Sequence, residues 1–412
     1  MLCQFSFWNY KSYRDEVTLD LCPARITEHD DHLIIEPITG EKFLPLAVIY
    51  GPNGGGKTAV INSFRYLRAR VLDKHGLNKD VEEGANDDNY KQISFMFDKQ
   101  YSELSTGWSV SLIAAGHEYK YSLALVKNKV SAESLYVKYL DTGKFEMLFE
   151  REQENIEFGG ELTESQAHKV SAKLPLLSFI SRLYDYEHIS NIMSWFKGVT
   201  VIDYGGIVAE RFISFPDKND NKHLQADFYK LLHAMGIPIN NLHIHKDSDG
   251  KIQNIFSVYS YLGEDIRIEF HQESSGTQKV FSLLSRIMES ILNGQPIFID
   301  ELDAKLHPKL LEVIASLFTN RETNRRGAQL IITSHDLHIL NNNFLRRDEI
   351  WFAAKRDDFS SHLYSLSDFK KLSNNGKKTR KDENYAKQYL EGRYGADPYF
   401  QRIKNWTVEH EQ

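Results

Sequence analysis

The chain has 412 residues, about two to three times the ~150 of a usual domain, with 41% hydrophobic and 26% charged residues and only 24 Gly and 10 Pro. Those proportions exclude collagen-like, disordered and low-complexity chains, and they fit one large α/β domain with an insertion, or two to three domains. A formal net charge of -7, from 50 Lys+Arg against 57 Asp+Glu, excludes a chain that is basic all over and confines any nucleic-acid binding to a local patch. Two cysteines, Cys3 and Cys22, are too few for a disulfide framework or a four-Cys zinc site, and they suit a reducing, cytoplasmic compartment. The opening MLCQFSFWNYKSYRDE lacks the basic start and apolar run of a signal peptide. No stretch approaches the ~18 uninterrupted apolar residues of a membrane span, so no membrane partner is expected.

In chain order, Phe5, Phe7 and Trp8, then Val17, Leu19 and Leu21, predict two paired strands around the polar turn 9–16. LPLAVIY at 44–50 predicts an apolar strand that ends in glycines. A helix is expected over 58–74, with Val60, Ile61, Phe64, Leu67 and Val71 on one face. From Ile93 to Val137 the period returns to two, which predicts several antiparallel strands. Apolar positions from Leu174 to Phe196 then recur at helical spacing and predict a small helical insertion over 161–235. Strand signals resume at 252–270, followed by a helix (277–292), a strand (296–299), a helix (308–318) and strands at 328–333 and 349–354. That β-α-β-α-β order implies a parallel sheet.

GPNGGGKT at 51–58 fits G-x-x-x-x-G-K-[ST] between a strand and a helix. The backbone from Gly51 through Pro52, Asn53, Gly54, Gly55 and Gly56 can curl its N–H groups toward phosphates. Lys57 adds a positive charge, and the Thr58 hydroxyl is a hard oxygen ligand for Mg2+. PIFIDELD at 296–303 is an apolar strand ending in acids: Asp300 suits Mg2+, and Glu301 suits a base that polarises the water attacking a γ-phosphate. QESSGTQKVFSLL at 272–284 sets Ser274, Ser275, Gly276 and Gln278 at a second helix N-terminus. IITSHD at 331–336 ends another strand on His335.

Taken together, FSFWNYKSYRDEVTLDL, GPNGGGKT, EYKYSLAL, ESSGTQ, FIDELDAKLHP, AQLIITSHDLHIL and the tail NYAKQYLEGRYGADP resemble ABC-type ATPases related to RecF, SMC and OLD proteins. The likeness is specifically to the bacterial ATPase subunits called RloA or abortive-infection AAA-family ATPases, and it covers nearly the whole chain. It implies an α/β ABC-ATPase head with a mixed or antiparallel β lobe, a parallel-sheet P-loop core and a small helical insertion. The implied division is lobe I (1–160), the insertion (161–235), lobe II with signature, Walker B, D-loop and switch histidine (236–369), and a basic loop and tail (370–412). The resemblance also implies that Asn9, Lys11 and Ser12 lie near the nucleotide base and ribose, that Ser275 and Gly276 complete the opposite subunit's site, that Asp303 and His307 reach across a dimer interface, and that His335 contacts the γ-phosphate. ATP and Mg2+ are the implied cofactors. A homodimer or higher even-numbered oligomer, a separate effector, a nuclease, and a DNA or phage-derived trigger are the implied partners. Gln92 and Gln100 both remain candidates for the Q-loop glutamine, and Gly55 departs from the more frequent Ser or Ala.

A second chemistry is not expected. Asp247-Ser248-Asp249 before Gly250 reads as a hairpin turn, His243 and His245 as an exposed strand face, and Pro216-Asp217 with Asp220 lacks nuclease spacing. The competing function is a RecF-like DNA clamp for repair or recombination, in which Lys370, Lys371, Lys377, Lys378, Arg380 and Lys381 would track phosphates.

Overall fold

The structure is a computed structural model that describes residues 1–72, 93–160, 162, 170–204, 222–247, 252–303, 306, 308–369 and 384–396. Strands β1 (Leu2–Trp8), β2 (Val17–Asp20), β3 (Ile34–Ile35), β4 (Lys42–Phe43) and β5 (Leu46–Tyr50) precede helix α1 (Lys57–Leu72). Then come β6 (Thr106–Ala114), β7 (His117–Val126), β8 (Lys129–Tyr139), β9 (Phe145–Glu152) and β10 (Asn155–Phe158). After helices Leu176–Leu183 and Glu187–Gly198 follow β11 (Thr200–Asp203), helix Lys222–Ala234, β12 (Asn241–Lys246), β13 (Ile252–Tyr261) and β14 (Glu264–Glu269). Helix Ser275–Asn293, β15 (Pro296–Asp300), helix Pro308–Thr319, β16 (Gln329–Thr333), β17 (Ile350–Lys355), β18 (Ser361–Ser365) and helix Tyr385–Leu390 complete the order.

The period-two segments join as an antiparallel sheet ordered β10-β9-β8-β7-β6-β1-β2. The continuous apolar runs form the second large sheet, β11-β15-β16-β5-β17-β18, parallel throughout except for β18. Sheets of this kind are covered on both faces, so their strands show no polar side. Alternation still operates within the runs. Ala47, Ile49, Phe298, Ile331, Trp351 and Ala353 face the core shared with the antiparallel sheet and α1, whereas Val48, Tyr50, Ile297, Ile299, Ile332 and Phe352 face the core built with the 275–293 and 308–319 helices. The expected mixed α/β class, with an antiparallel lobe and a parallel P-loop sheet, is what the chain forms.

Helix α1 joins the two sheets. Val60, Ile61, Phe64, Leu67 and Val71 are buried along it. Phe64 stacks on Phe298 of β15 at 4.2 Å and meets Phe5 of β1 edge-on at 5.2 Å. Ser63, also buried, accepts a 2.9 Å hydrogen bond from the Trp108 indole of β6. The 161–235 span is drawn into both cores. Its helices at 176–183 and 187–198 pack with α1, and β11 extends the central sheet beside β15. The first of these helices starts at Pro175 without a side-chain cap of its own. The buried Glu133 carboxylate of β8 supplies one by accepting from the Leu176 and Leu177 N–H groups.

Residues 241–246 and 252–261 are antiparallel neighbours, as the hairpin reading of Asp247-Ser248-Asp249 requires; Ser248, Asp249 and Gly250 themselves lie outside the described residues, as do Asp217 and Asp220. His243 and His245 are exposed on β12. Strands β10 and β18 lie beyond the expected elements: their short mixed-polarity stretches pair at sheet edges and carry little periodic signal, and β9, which joins β10 to β8, is likewise additional. No described helix is long and apolar enough to cross a membrane.

At the entry to β17, Glu349 is fully buried. Its Oε2 accepts from the Arg346 N–H at 2.9 Å, and its Oε1 has no partner among the described residues. Desolvation pushes its pKa from 4.5 up to about 8, opposed by the Arg346 N–H and guanidinium. Between those two values the folded chain holds a proton that the unfolded chain releases, so stability is full below about 4.5 and falls as pH rises toward about 8. Glu349→Gln should remove this part of the slope. Chemical denaturation across that range checks it: the stability difference between variant and wild type should grow with pH, and a constant difference would contradict the assignment.

Candidate nucleotide-binding site

The register of the central sheet brings the motifs together. Ile299 pairs with Ile332, Thr333 with Ile49 and Tyr50 with Phe352, so the C-terminal ends of β15, β16 and β5 lie within a residue of one another, and β17 runs on three residues past that level to Lys355. That edge is where loops of an open α/β sheet bind ligands. Loop 51–56 leaves β5 there and runs into α1 at Lys57.

Three loop glycines have left-handed or related backbones, Gly51 (φ 155°), Gly54 (φ 75°) and Gly56 (φ 112°). Space is as tight as torsion. A Cβ on Gly51 would stand 2.1 Å from the Ala353 carbonyl oxygen of β17, and one on Gly56 would meet Ser361 Oγ at 2.8 Å and the Tyr13 ring at 3.0 Å. Gly55 has no unusual φ, yet its Cβ would lie 2.6 Å from the same Ala353 oxygen. Its glycine answers to crowding by β17, not to a need for backbone freedom.

Lys57 is 6% exposed, and its Nζ donates to the Gly51 carbonyl at 2.8 Å and the Pro52 carbonyl at 3.2 Å. Burial lowers its pKa to about 8, against the opposing pull of Asp300, Asp303 and Glu301, so at neutral pH the ammonium stays charged. Thr58 is exposed in the first turn of α1, whose N–H groups have no intrahelical acceptors. Asp300 is buried at the end of β15, and Glu301 follows it, exposed, with a left-handed backbone (φ 53°) that is uncommon for a residue with a side chain.

Thr333 holds both acids. Its buried hydroxyl donates to Asp300 Oδ1 at 2.6 Å and accepts from the Glu301 N–H at 2.8 Å. The Asp303 carboxylate accepts from the His335 N–H at 2.7 Å through Oδ2, while its buried Oδ1 has no donor among the described residues. His335 is exposed. Desolvation of its ring, then the charge of Lys57, lower its pKa, opposed by Asp303, Glu301 and Asp300. A buried lysine, a buried aspartate, an exposed glutamate, a histidine and a glycine cradle whose Gly51 and Gly55 stand too close to β17 for a Cβ are a fitting set for a triphosphate with its divalent ion.

The other expected residues fall into distinct places. Asn9 is buried and its side chain serves the fold. Nδ2 donates to the Tyr101, Leu104 and Ser105 carbonyls and Oδ1 accepts from the Phe95 N–H, which clamps segment 93–106. Lys11, left-handed at φ 52°, continues that clamp with its backbone, bonding Ile93 O and receiving the Met96 N–H. Ser12 accepts from Ser361 through both Oγ and backbone oxygen, which ties the turn after β1 to the start of β18. Ser274 caps the 275–293 helix through the Thr277 N–H, Ser275 and Gly276 are exposed, and the Gln278 amide ties back to the carbonyls of Phe270, His271 and Glu273. Asn53 is exposed on the loop and Pro52 is buried. His307, Gln92 and the 370–381 basic stretch lie outside the described residues; Gln100 sits in the short 3-10 turn Lys99–Glu103.

Thr333, Tyr13, Ala353 and Ser361 are the neighbours that sequence reasoning passed over. Thr333 stood inside the IITSHD segment; the other three carry no local signal, since each acts through contacts distant in sequence. One further cluster, His29, Asp31 and His32, brings ligand atoms within 4.8 Å of one another. Its two imidazoles stack face to face, 4.8 Å apart and 17° from parallel, so no single ion lies in both ring planes and no metal is assigned there.

A glycine cradle leading into a helix, with a buried lysine beside strand-end acids, defines a P-loop protein of the ATPase class. Residues 46–341 match the family described as "AAA domain, putative AbiEii toxin, Type IV TA system", and the chain belongs to that family. No curated protein matches it in sequence. Among solved structures, the Smc head domain with an extended coiled coil, bound to the C-terminal domain of ScpA and derived from Pyrococcus furiosus, aligns over 90% of this chain and 98% of its own, at TM-score 0.42 and 11% identity.

Thr333→Val should leave the Asp300 carboxylate and the Glu301 N–H without their shared partner and cost about 1–3 kcal/mol, whereas Thr333→Ser should restore most of it. Denaturant midpoints of the two variants check this. A valine variant as stable as wild type would show that the hydroxyl does not hold the acids.

Proposed function

We propose that the protein is an Mg-ATP-hydrolysing ABC-type ATPase, working as a homodimer or higher even-numbered oligomer, and serving as the sensor and scaffold subunit of a bacterial antiviral, abortive-infection system. In this reading it controls a separate effector, a nuclease, in response to a DNA or phage-derived trigger. The observation that carries the reading is the meeting of Lys57, Asp300, Glu301, Asp303 and His335 at the adjoining ends of β5, β15 and β16. The family's description as an AbiEii toxin of a type IV toxin–antitoxin system supports the defence context.

Bound Mg-ATP would supply the reactive γ-phosphoryl group and a divalent charge. The residues have separable tasks around it. The loop N–H groups and Lys57 would bind and orient phosphates; Thr58 and Asp300 would hold the metal as hard oxygen groups. Glu301, exposed and set apart from the buried Asp300, would accept a proton from the attacking water. His335, whose backbone N–H is held by Asp303, would contact the γ-phosphate. Ser275 and Gly276, exposed at a helix N-terminus, are available to a second subunit's nucleotide.

Asp300→Asn should weaken Mg-dependent ATP binding, whereas Glu301→Gln should leave binding intact, slow hydrolysis by ~10² or more and accumulate a closed dimer. ATP affinity, turnover and molecular mass measured on both variants separate the two tasks. Equal turnover in wild type and Glu301→Gln would exclude Glu301 as the base.

A further inference from the structure

We infer that Phe97 and Phe359 form a stacking platform for the purine base of the nucleotide, and the inference rests on the phosphate loop binding ATP as proposed above. The two rings stack on each other with centroids 5.6 Å apart and planes 24° from parallel, yet they remain 44% and 59% exposed. Lys355 Nζ sits 5.0 Å from the Phe97 centroid and 4.0 Å from the Cβ position of Gly54 in the phosphate loop. The platform therefore begins one lysine side chain away from the loop, on the β17–β18 side.

The backbone gives an independent reason to treat the pair as built for a ligand. Phe359 has φ 64°, a left-handed conformation in which a turn ordinarily uses Gly or Asn, and which is a genuine outlier for a bulky aromatic. Strain of this kind collects at ligand clamps, where the surrounding structure enforces it. The enforcement is visible. Asp358 accepts from the Ser360 N–H and hydroxyl and pairs with Arg14 at 2.7 Å, and Arg356 pairs with Asp15 at 2.7 Å. On the other side, Met96 is held by the Lys11 carbonyl, which fixes the segment bearing Phe97. Two chain segments are thus anchored to the 11–15 turn so that an aromatic pair stands in solvent beside the phosphate loop. A flat π-face of a base is the complement of such a surface, and stacking tolerates any purine.

The test uses the full chain with Mg2+ and compares ATP with inorganic tripolyphosphate by calorimetry for wild type and Phe359→Asn. Asparagine accepts the left-handed backbone, so the variant should be at least as thermally stable as wild type. It should bind ATP about tenfold more weakly, within the range for loss of one base–aromatic stack, and bind tripolyphosphate as wild type does. Phe97→Leu, which keeps an apolar side chain, should shift the two affinities in the same selective way. Unchanged ATP affinity in both variants, or equal losses for ATP and tripolyphosphate, would overturn the platform. Wild-type protein that binds neither ligand would overturn the ATP-binding reading, and the platform with it.

Discussion

The structure depends on one register. Because β15, β16 and β5 run parallel and end within a residue of one another, with β17 parallel beside them and reaching three residues further, an aspartate, a threonine, a glycine loop and a carbonyl far apart in sequence become neighbours. A parallel sheet cannot slip by one residue without exchanging the side chains that face its two cores, and here every strand contributes to both. Packing of Phe64 on Phe298 and of Ile332 within the opposite core therefore locks the strand ends as firmly as it locks the hydrophobic interior. The chemistry at the edge is a consequence of that lock.

Charge is handled at the edge by proximity. A lysine 6% exposed would lose much of its charge to desolvation, and the neighbouring carboxylates of Asp300, Asp303 and Glu301 oppose that loss. Desolvation, and then the charge of the same lysine, lower the pKa of the His335 ring, opposed by the three carboxylates. Thr333 adds geometry to this balance by bonding the side chain of one acid and the backbone of the next.

Much of this was legible in the residues. Strand–loop–helix around GPNGGGKT, the acidic end of PIFIDELD and the IITSHD strand are local patterns, and local patterns survive reading one segment at a time. What escaped reading is non-local. The clamp made by Asn9 is one case, because only the folded chain brings Phe95, Tyr101, Leu104 and Ser105 to its amide. Gly55 is another, a space requirement imposed by Ala353, almost three hundred residues away. The 176–198 helices looked like a separate piece, but their apolar faces complete the core around α1, a pairing that helical periodicity alone does not specify.

The central claim is that the edge formed by Lys57, Thr58 and Asp300 is an Mg-ATP site. Equilibrium titration of the wild-type chain with ATP, with and without Mg2+, tests it most directly. The account predicts one nucleotide bound per chain, more tightly when Mg2+ is present; absence of binding, or binding indifferent to both Mg2+ and Lys57→Ala, would contradict it.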